Sequence, residues 1–316
     1  MPTLDFVLLT SINSIFKHTN GDIVKVGLML TAFTTDPLAM TADLARELRD
    51  LGIEGVICHI GMGDGKSVRK PLDTKLDDVK RAGDTFFEHG IKPLSNWGYW
   101  ARLCVADDQT RKEAIKLVTD SFKVAKAFGT NVVVTGSGSN SDISAWYPVP
   151  ENHSRESLER YIDSLEQIIS VAENEGMILV VKPHVLSTVR DPRIIKEIFD
   201  RVPSPALRIG FDPTNIVSHD YMFDTPKLID EMVTASGGRV GSAHAKDFVV
   251  ESQMVLRITE VPVGEGIFDW PDYVTKASKY ALNEYIALEH LSSKQVRAAS
   301  EFMHKIIDQV EESNSL

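Results

Sequence analysis

The fold is decided by residues 154–182, SRESLERYIDSLEQIISVAENEGMILVVK. The first part of this stretch, residues 154–175, places an apolar residue at every third or fourth position, which is the pattern of an amphipathic helix. The apolar run that follows, residues 177–182, has the length and continuity of a strand that is buried on both faces. A helix followed by such a strand is typical of folds built around a parallel sheet.

The same alternation extends along the chain. Strands are predicted at residues 25–30, 53–59, 91–97, 131–135, 177–182, 207–212, 239–244 and 285–289. Helices are predicted at residues 37–51, 73–89, 107–128, 154–175, 192–201, 225–235, 270–280 and 294–310. Eight strand–helix units, with no GxGxxG sequence after the first strand, predict a closed (β/α)8 TIM barrel rather than an open dinucleotide-binding sheet.

The chain is expected to form a single catalytic domain. Residues 25–316 make up the predicted barrel, and residues 1–24 form a short N-terminal extension that could plug the bottom of the barrel or pack on a partner. Residues 245–268, between the seventh strand and its helix, are long for a connection. They lie on the face where barrel enzymes carry their chemistry, so we expect a lid or a binding loop.

Composition excludes several classes of function. The chain is 43% hydrophobic and 25% charged, as in a soluble globular protein, and its net charge of −11 argues against partners such as nucleic acid or an anionic membrane. With no long apolar run and no basic N-terminal segment, the cytoplasm is the expected compartment. The two cysteines, Cys58 and Cys104, are not spaced for a disulfide framework or a structural zinc site.

Polar residues mark the carboxyl ends of the last four predicted strands. They are Lys182, Asp212, His244 and Glu289. In a barrel these ends converge at one rim, so the side chains are expected to meet. An Asp, a His and a Glu form a mixed nitrogen and oxygen site suited to manganese, zinc or cobalt, and less well to magnesium. Such an ion polarises a carbonyl group and stabilises the enediolate formed when a proton is lost.

Five motifs occur in order around these residues: VVKPHV at 180–185, IGFDPTN at 209–215, AHAKD at 243–247, VGEGIFDW at 263–270 and ALEH at 287–290. Together they resemble the sugar phosphate isomerase/epimerase family, the xylose-isomerase-like TIM barrels that also include endonuclease IV. The resemblance implies one divalent metal ion bound by Asp212, His244 and Glu289. It also implies that two glutamates, on the fifth and eighth strands, act as acid–base groups.

The chain departs from the family at the fifth strand, where Lys182 replaces the glutamate. An ammonium group has no lone pair to offer a metal ion. The metal could remain on Asp212, His244 and Glu289, with Lys182 contacting a substrate carboxylate. Alternatively, Lys182 could replace the metal and hold an oxyanion. A Schiff base with a keto sugar is disfavoured because the nearby carboxylates keep the lysine protonated, and a lost or altered site is a further alternative.

The expected function is an isomerase or epimerase that acts on a small keto sugar or sugar acid through an enediolate, with Lys182 and Glu289 as catalytic residues. A carbon–carbon lyase or decarboxylase of a 3-keto sugar acid is the alternative, because a lysine favours chemistry that needs an electron sink. A sugar-binding barrel without catalysis is a third possibility, and the acidic balance argues against a nuclease. The expected partner is a small carbohydrate, and a homo-oligomer is left open.

Six further residues are candidates for substrate contact because they end or follow predicted strands or lie in the long loop. They are His59, Trp97, His184, Asn215, Lys246 and Arg257. All except Asn215 also have a structural alternative: the histidines and the tryptophan could pack at the rim, Lys246 could pair with Asp247, and Arg257 could be solvated.

Overall fold

The computed structural model describes residues 24–61, 70–99 and 102–314. Its strands are β1 (Lys25–Met29), β2 (Gly55–Cys58), β3 (Lys92–Tyr99), β4 (Val132–Gly136), β5 (Ile178–Lys182), β6 (Leu207–Phe211), β7 (Val240–Ala245), β8 (Asp247–Val250), β9 (Ile258–Val261) and β10 (Tyr285–Leu288). Its helices are α1 (Ala42–Asp50), α2 (Leu76–Glu88), α3 (Asp108–Phe128), α4 (Arg155–Glu175), α5 (Pro192–Arg201), α6 (Thr225–Ala235), α7 (Trp270–Tyr280) and α8 (Val296–Asn314).

Eight of the strands close into a parallel barrel in the order β1-β10-β7-β6-β5-β4-β3-β2. The closure is made by β1 and β10, whose parallel register runs from Lys25 opposite Tyr285 to Leu28 opposite Leu288. The predicted (β/α)8 barrel is therefore confirmed. The predicted N-terminal extension lies outside the described residues, except for its last residue, Val24.

Side chains fill the barrel and cover its outside. Two small apolar clusters are made by residues of the barrel strands: Met29, Trp97, Val132, Val134 and Val180 in one, and Ile57, Leu94, Tyr285 and Ala287 in the other. On the outside, each helix buries one apolar face, as the sequence periodicity of α4 predicts. Because these side chains fill the interior, the rim at the carboxyl ends of the strands is where a barrel of this kind carries an active site.

The segment between β7 and α7 has more structure than a loop. β8 and β9 pair as an antiparallel hairpin, with Asp247 opposite Val261. The carboxylate of Asp247 accepts hydrogen bonds from the backbone N–H groups of Phe248, Gly264 and Phe268 and from Trp270 Nε1, at 2.9–3.1 Å. One buried carboxylate thus ties the hairpin to the start of α7.

The first helix also differs from the sequence prediction. It begins at Ala42 rather than at residue 37, because Thr41 Oγ1 accepts a hydrogen bond from Leu44 N at 3.3 Å and caps the helix there. Pro37–Ala39 forms a separate 3-10 turn. In the described part of the chain, no helix combines the length and the apolarity needed to cross a bilayer.

Candidate active site

The four predicted strand-end residues do meet at one rim. Lys182 is the last residue of β5, His244 lies within β7, and Asp212 and Glu289 directly follow β6 and β10. All four side chains are buried, and they are joined by Lys246, which directly follows β7 and is also buried.

Two ammonium groups lie between two carboxylates. Lys182 Nζ donates to both carboxylate oxygens of Glu289 and lies 3.0 Å from Asp212 Oδ2. Lys246 Nζ lies 2.9 Å from the same Asp212 oxygen and 3.4 Å from Glu289 Oε2, and it donates to Asn215 Oδ1. Each ammonium group therefore has three oxygen neighbours for its three N–H groups.

The charges stabilise one another. Burial alone would raise the pKa of Glu289, but Lys182 and Lys246 outweigh it and hold that pKa well below its ordinary value. Burial has the same effect on Asp212, where Lys246 and then Lys182 bring the pKa below the ordinary value. Burial lowers the pKa of Lys246, yet Asp212 and Glu289 raise it overall. Both carboxylates and Lys246 are consequently charged at neutral pH.

His244 completes the cluster as a neutral imidazole. Its Nδ1 lies 3.2 Å from Glu289 Oε1, and its Nε2 lies 2.6 Å from Ser242 Oγ. Burial, followed by the charge of Lys182, lowers the pKa of His244.

Two supporting residues were not found from the sequence. Tyr273 on α7 accepts a hydrogen bond from His244 N, and its hydroxyl lies 2.6 Å from Phe211 O and 2.8 Å from His244 O. It therefore fixes the carboxyl ends of β6 and β7. Ser242 holds the imidazole of His244 from the other side. In the sequence both residues look like ordinary members of a helix and a strand, with no signal of this role.

Gly210 makes room for the cluster. A Cβ atom at this position would lie 3.1 Å from Lys182 Cα and 3.3 Å from Lys182 Cβ. Such contacts are tight, so glycine lets β6 pass close beside Lys182. Close packing against Lys182 thus explains why the 209–215 motif has a glycine at position 210.

His59 and Trp97 extend the site toward the second and third strands. Lys182 Nζ lies 5.1 Å from the centroid of the Trp97 ring, and the rings of Trp97 and His59 are 5.1 Å apart. Burial lowers the pKa of His59 to about 3, and the charge of Lys182 acts in the same direction. Among the described residues, His59 Nε2 has no hydrogen-bond partner although the atom is buried.

His184, two residues beyond Lys182 in the chain, packs against Trp146. Its ring centroid is 4.2 Å from that of Trp146, and burial followed by the charge of Lys246 lowers its pKa to about 4. Leu186 N donates to His184 Nδ1 at 3.2 Å, so in the neutral imidazole the proton is on Nε2.

Of the predicted contact residues, Arg257 is not brought to the cluster. It is exposed on the hairpin and lies 3.6 Å from Glu251. Its role toward a substrate stays a prediction.

A cavity of about 470 Å³ lies at the same rim, between the segments that follow β1 and β2. This size falls within the usual range for small-molecule sites, roughly 300–1,000 Å³. The cavity is lined by Thr35, Asp36, Pro37, Leu38, His59, Gly61, Asp73, Thr74, Lys75 and Asp78. His59 lines this cavity and also contacts Trp97, so it links the cavity to the charged cluster.

A divalent metal ion does not fit this arrangement. Asp212 Oδ2 and both oxygens of Glu289 already contact Lys182 Nζ, and Asp212 Oδ2 is also paired with Lys246. Among the described residues this leaves Asp212 Oδ1 as the oxygen of the two carboxylates that has no such contact. Within the described ranges, no group of three or more His, Cys, Asp and Glu side chains is placed to hold a metal ion. Metal binding by Asp212, His244 and Glu289 stays a prediction for titration to test.

Comparison with known proteins establishes the family. Residues 45–306 match the xylose isomerase-like TIM barrel family, and the chain belongs to it. No curated protein matches the sequence significantly.

Solved structures share the fold at low sequence identity. A xylose isomerase-like TIM barrel protein from Mycobacterium smegmatis, in complex with magnesium, is 15% identical, with a TM-score of 0.68 over 92% of this chain and 97% of that one. D-Psicose 3-epimerase with D-tagatose from Clostridium cellulolyticum H10 is 12% identical, with a TM-score of 0.64 over 90% and 99%. The apo form of 3-keto-D-glucoside 4-epimerase from E. coli is 13% identical, with a TM-score of 0.65 over 89% and 99%.

Proposed function

We propose that this protein is an isomerase or epimerase that moves a proton on a small keto sugar or sugar acid through an enediolate intermediate. The observation that carries the proposal is the buried cluster in which Glu289 and Asp212 face the ammonium groups of Lys182 and Lys246. A carboxylate beside a cation is what enolisation needs, because one accepts a proton from carbon while the other neutralises the oxygen that gains charge.

Glu289 is the proposed base. Its pKa lies well below the ordinary value, so it is ionised before substrate arrives. It removes a proton from the carbon next to the substrate carbonyl, and the electron pair of the broken C–H bond moves to the carbonyl oxygen. In an isomerisation the proton returns to the former carbonyl carbon, and the proton of the adjacent hydroxyl group moves to the charged oxygen, so that a new carbonyl group forms. In an epimerisation a proton from water reaches the opposite face of the first carbon, the carbonyl group re-forms, and Glu289 loses its proton to solvent. An ammonium group holds the oxygen in between.

The cavity beside His59 supports a substrate of monosaccharide class. Its volume of about 470 Å³ suits a small molecule, and its lining offers hydroxyl, carboxylate and imidazole groups that can bond sugar hydroxyls. Buried His59 Nε2, which has no hydrogen-bond partner in the described structure, is one such group. The two epimerases of similar fold are named for D-psicose and for a 3-keto-D-glucoside, and a carbohydrate substrate here is consistent with those names.

One feature favours a lyase or decarboxylase as the second candidate. The carboxyl end of β5 carries Lys182, so the site holds two carboxylates together with two cations. Cleavage of a 3-keto sugar acid passes through the same enolate and requires an electron sink more than two opposed bases. Release of carbon dioxide from such acids distinguishes this reaction from proton transfer.

Solvent exchange tests the proposal. The protein is incubated in D2O with a panel of keto sugars, aldoses and sugar acids, and deuterium at carbon is followed by NMR. The proposal predicts incorporation by the wild type and a loss of at least about 100-fold in Glu289→Gln. Exposed Glu166→Gln on α4 is the matched control and should keep the wild-type rate. Ligand-induced stabilisation without exchange or turnover would instead indicate a sugar-binding barrel.

A further inference from the structure

The ammonium group of Lys182 lies at the point where carboxylates from two strand ends converge. Its Nζ contacts both oxygens of Glu289 and is 3.0 Å from Asp212 Oδ2. Carboxylate oxygens gathered around one point are the usual surroundings of a bound divalent cation. We propose that Lys182 is the resident cation of this site, that it takes the place of a divalent metal ion, and that the wild-type chain works without one.

Charge balance explains why the two cations exclude each other. Two carboxylates, Asp212 and Glu289, are matched by two ammonium groups, Lys182 and Lys246. A divalent ion entering this cluster would take the oxygens that Lys182 needs and leave a buried ammonium group without a partner. An unpaired buried charge is strongly unfavourable, so the cluster resists the ion.

The same geometry contains a latent metal site. In Lys182→Glu, three carboxylates would face the single ammonium group of Lys246, and the imidazole of His244, whose Nδ1 lies 3.2 Å from Glu289 Oε1, would add a nitrogen donor. Glutamate is also shorter than lysine, so the substitution would vacate the position of Nζ. Mixed carboxylate and imidazole sets of this kind bind manganese and zinc.

What the cation does for the substrate rests on the proposed function. Both oxygens of Glu289 contact Lys182 Nζ, so one contact can pass to a substrate oxygen while the other keeps the ion pair. Lys182 then holds the enediolate oxygen by a charge-assisted hydrogen bond, the role otherwise given to a metal ion.

Metal binding tests the inference independently of turnover. Full-length wild type, Lys182→Glu and Lys182→Gln are stripped with a chelator, titrated calorimetrically with Mn²⁺ and then with Zn²⁺, and melted with and without each ion. We expect no specific ion in the wild type or in Lys182→Gln, which removes the ammonium without adding a carboxylate. We expect about one ion per chain in Lys182→Glu, with a rise in Tm on metal addition.

Two results would overturn the inference. One is that the wild type binds one metal ion per chain and that Asp212→Asn abolishes this binding. The other is a folded Lys182→Glu that binds none. If Lys182→Glu does not fold, the wild-type and Asp212→Asn titrations decide alone. The titration measures metal binding and does not use deuterium exchange, so the two proposals can fail separately. A titration that overturns the role of Lys182 leaves the proton-transfer proposal standing, and an absence of deuterium exchange leaves the conclusion on metal binding standing.

Discussion

Removing the buried ammonium group of Lys182 should destabilise the protein far more than removing a surface one. In Lys182→Met the two carboxylates keep only Lys246 as a cationic partner, because Glu289 loses both of its contacts with Lys182. Breaking a buried pair by removing one partner costs about 3–5 kcal/mol. With an unfolding entropy of about 2 cal/mol/K per residue over 316 residues, this is a fall in Tm of roughly 5–8 °C.

The assay is thermal melting with a matched control and a pH series. Lys196→Met removes an exposed lysine that pairs with Asp200 at 2.6 Å, and it should lower Tm by less than about 1 °C. In Lys182→Met, burial raises the pKa of Glu289 with less opposition, so the folded variant binds protons more readily. Its defect relative to wild type should therefore shrink as pH falls below about 5. A defect no larger than that of Lys196→Met, or one independent of pH, would refute the reasoning.

Two further predictions concern the histidine beside the cluster and the carboxylate that ties the hairpin. The folded-state pKa of His184 is about 4, below its unfolded value of about 6.5, so its contribution to stability falls by roughly 2 kcal/mol between pH 7 and pH 5. In urea titrations at both pH values, His184→Asn should lose about that much acid sensitivity, and unchanged sensitivity would contradict the assignment. In Asp247→Asn, an amide NH2 group would face N–H groups that donate hydrogen bonds to the carboxylate in the wild type. The substitution should lower the free energy of unfolding by about 1–3 kcal/mol in the same assay. An unchanged urea midpoint would argue against the role of Asp247 in tying the hairpin to α7.

The barrel could be predicted because parallel strands buried on both faces read as continuous apolar runs. Val132–Gly136 and Leu207–Phe211 are buried along their whole length, and in the sequence both are short, mainly apolar runs between helices, although Arg208 interrupts the second. The amphipathic pattern of α4 could also be predicted, because one face of this helix packs on the barrel and the other faces solvent.

The hairpin of β8 and β9 could not be predicted in the same way. Ile258–Val261 is only half-buried, so the segment lacks both the apolar run of a barrel strand and a clear alternation. Its position depends on Asp247, whose partners Gly264, Phe268 and Trp270 follow 17–23 residues later in the chain. Contacts of that kind are formed by tertiary packing and leave no local pattern.

The convergence of Lys182, Asp212, His244 and Glu289 followed from the barrel topology, because neighbouring strand ends share one rim. The contacts that these side chains make with one another did not follow from the topology. The spacing of residues in the sequence does not show whether Lys182 points at a substrate or between the carboxylates, and it does not reveal that Tyr273 holds the ends of β6 and β7. Both depend on side-chain geometry across elements far apart in the chain.

The most direct test of the central claim is deuterium exchange by the chelator-treated wild-type protein in D2O, with and without added Mn²⁺. The account predicts that deuterium enters a substrate carbon at the same rate in both conditions, because the cation beside Glu289 belongs to the chain. Exchange that is lost on chelation and restored by Mn²⁺ would contradict it.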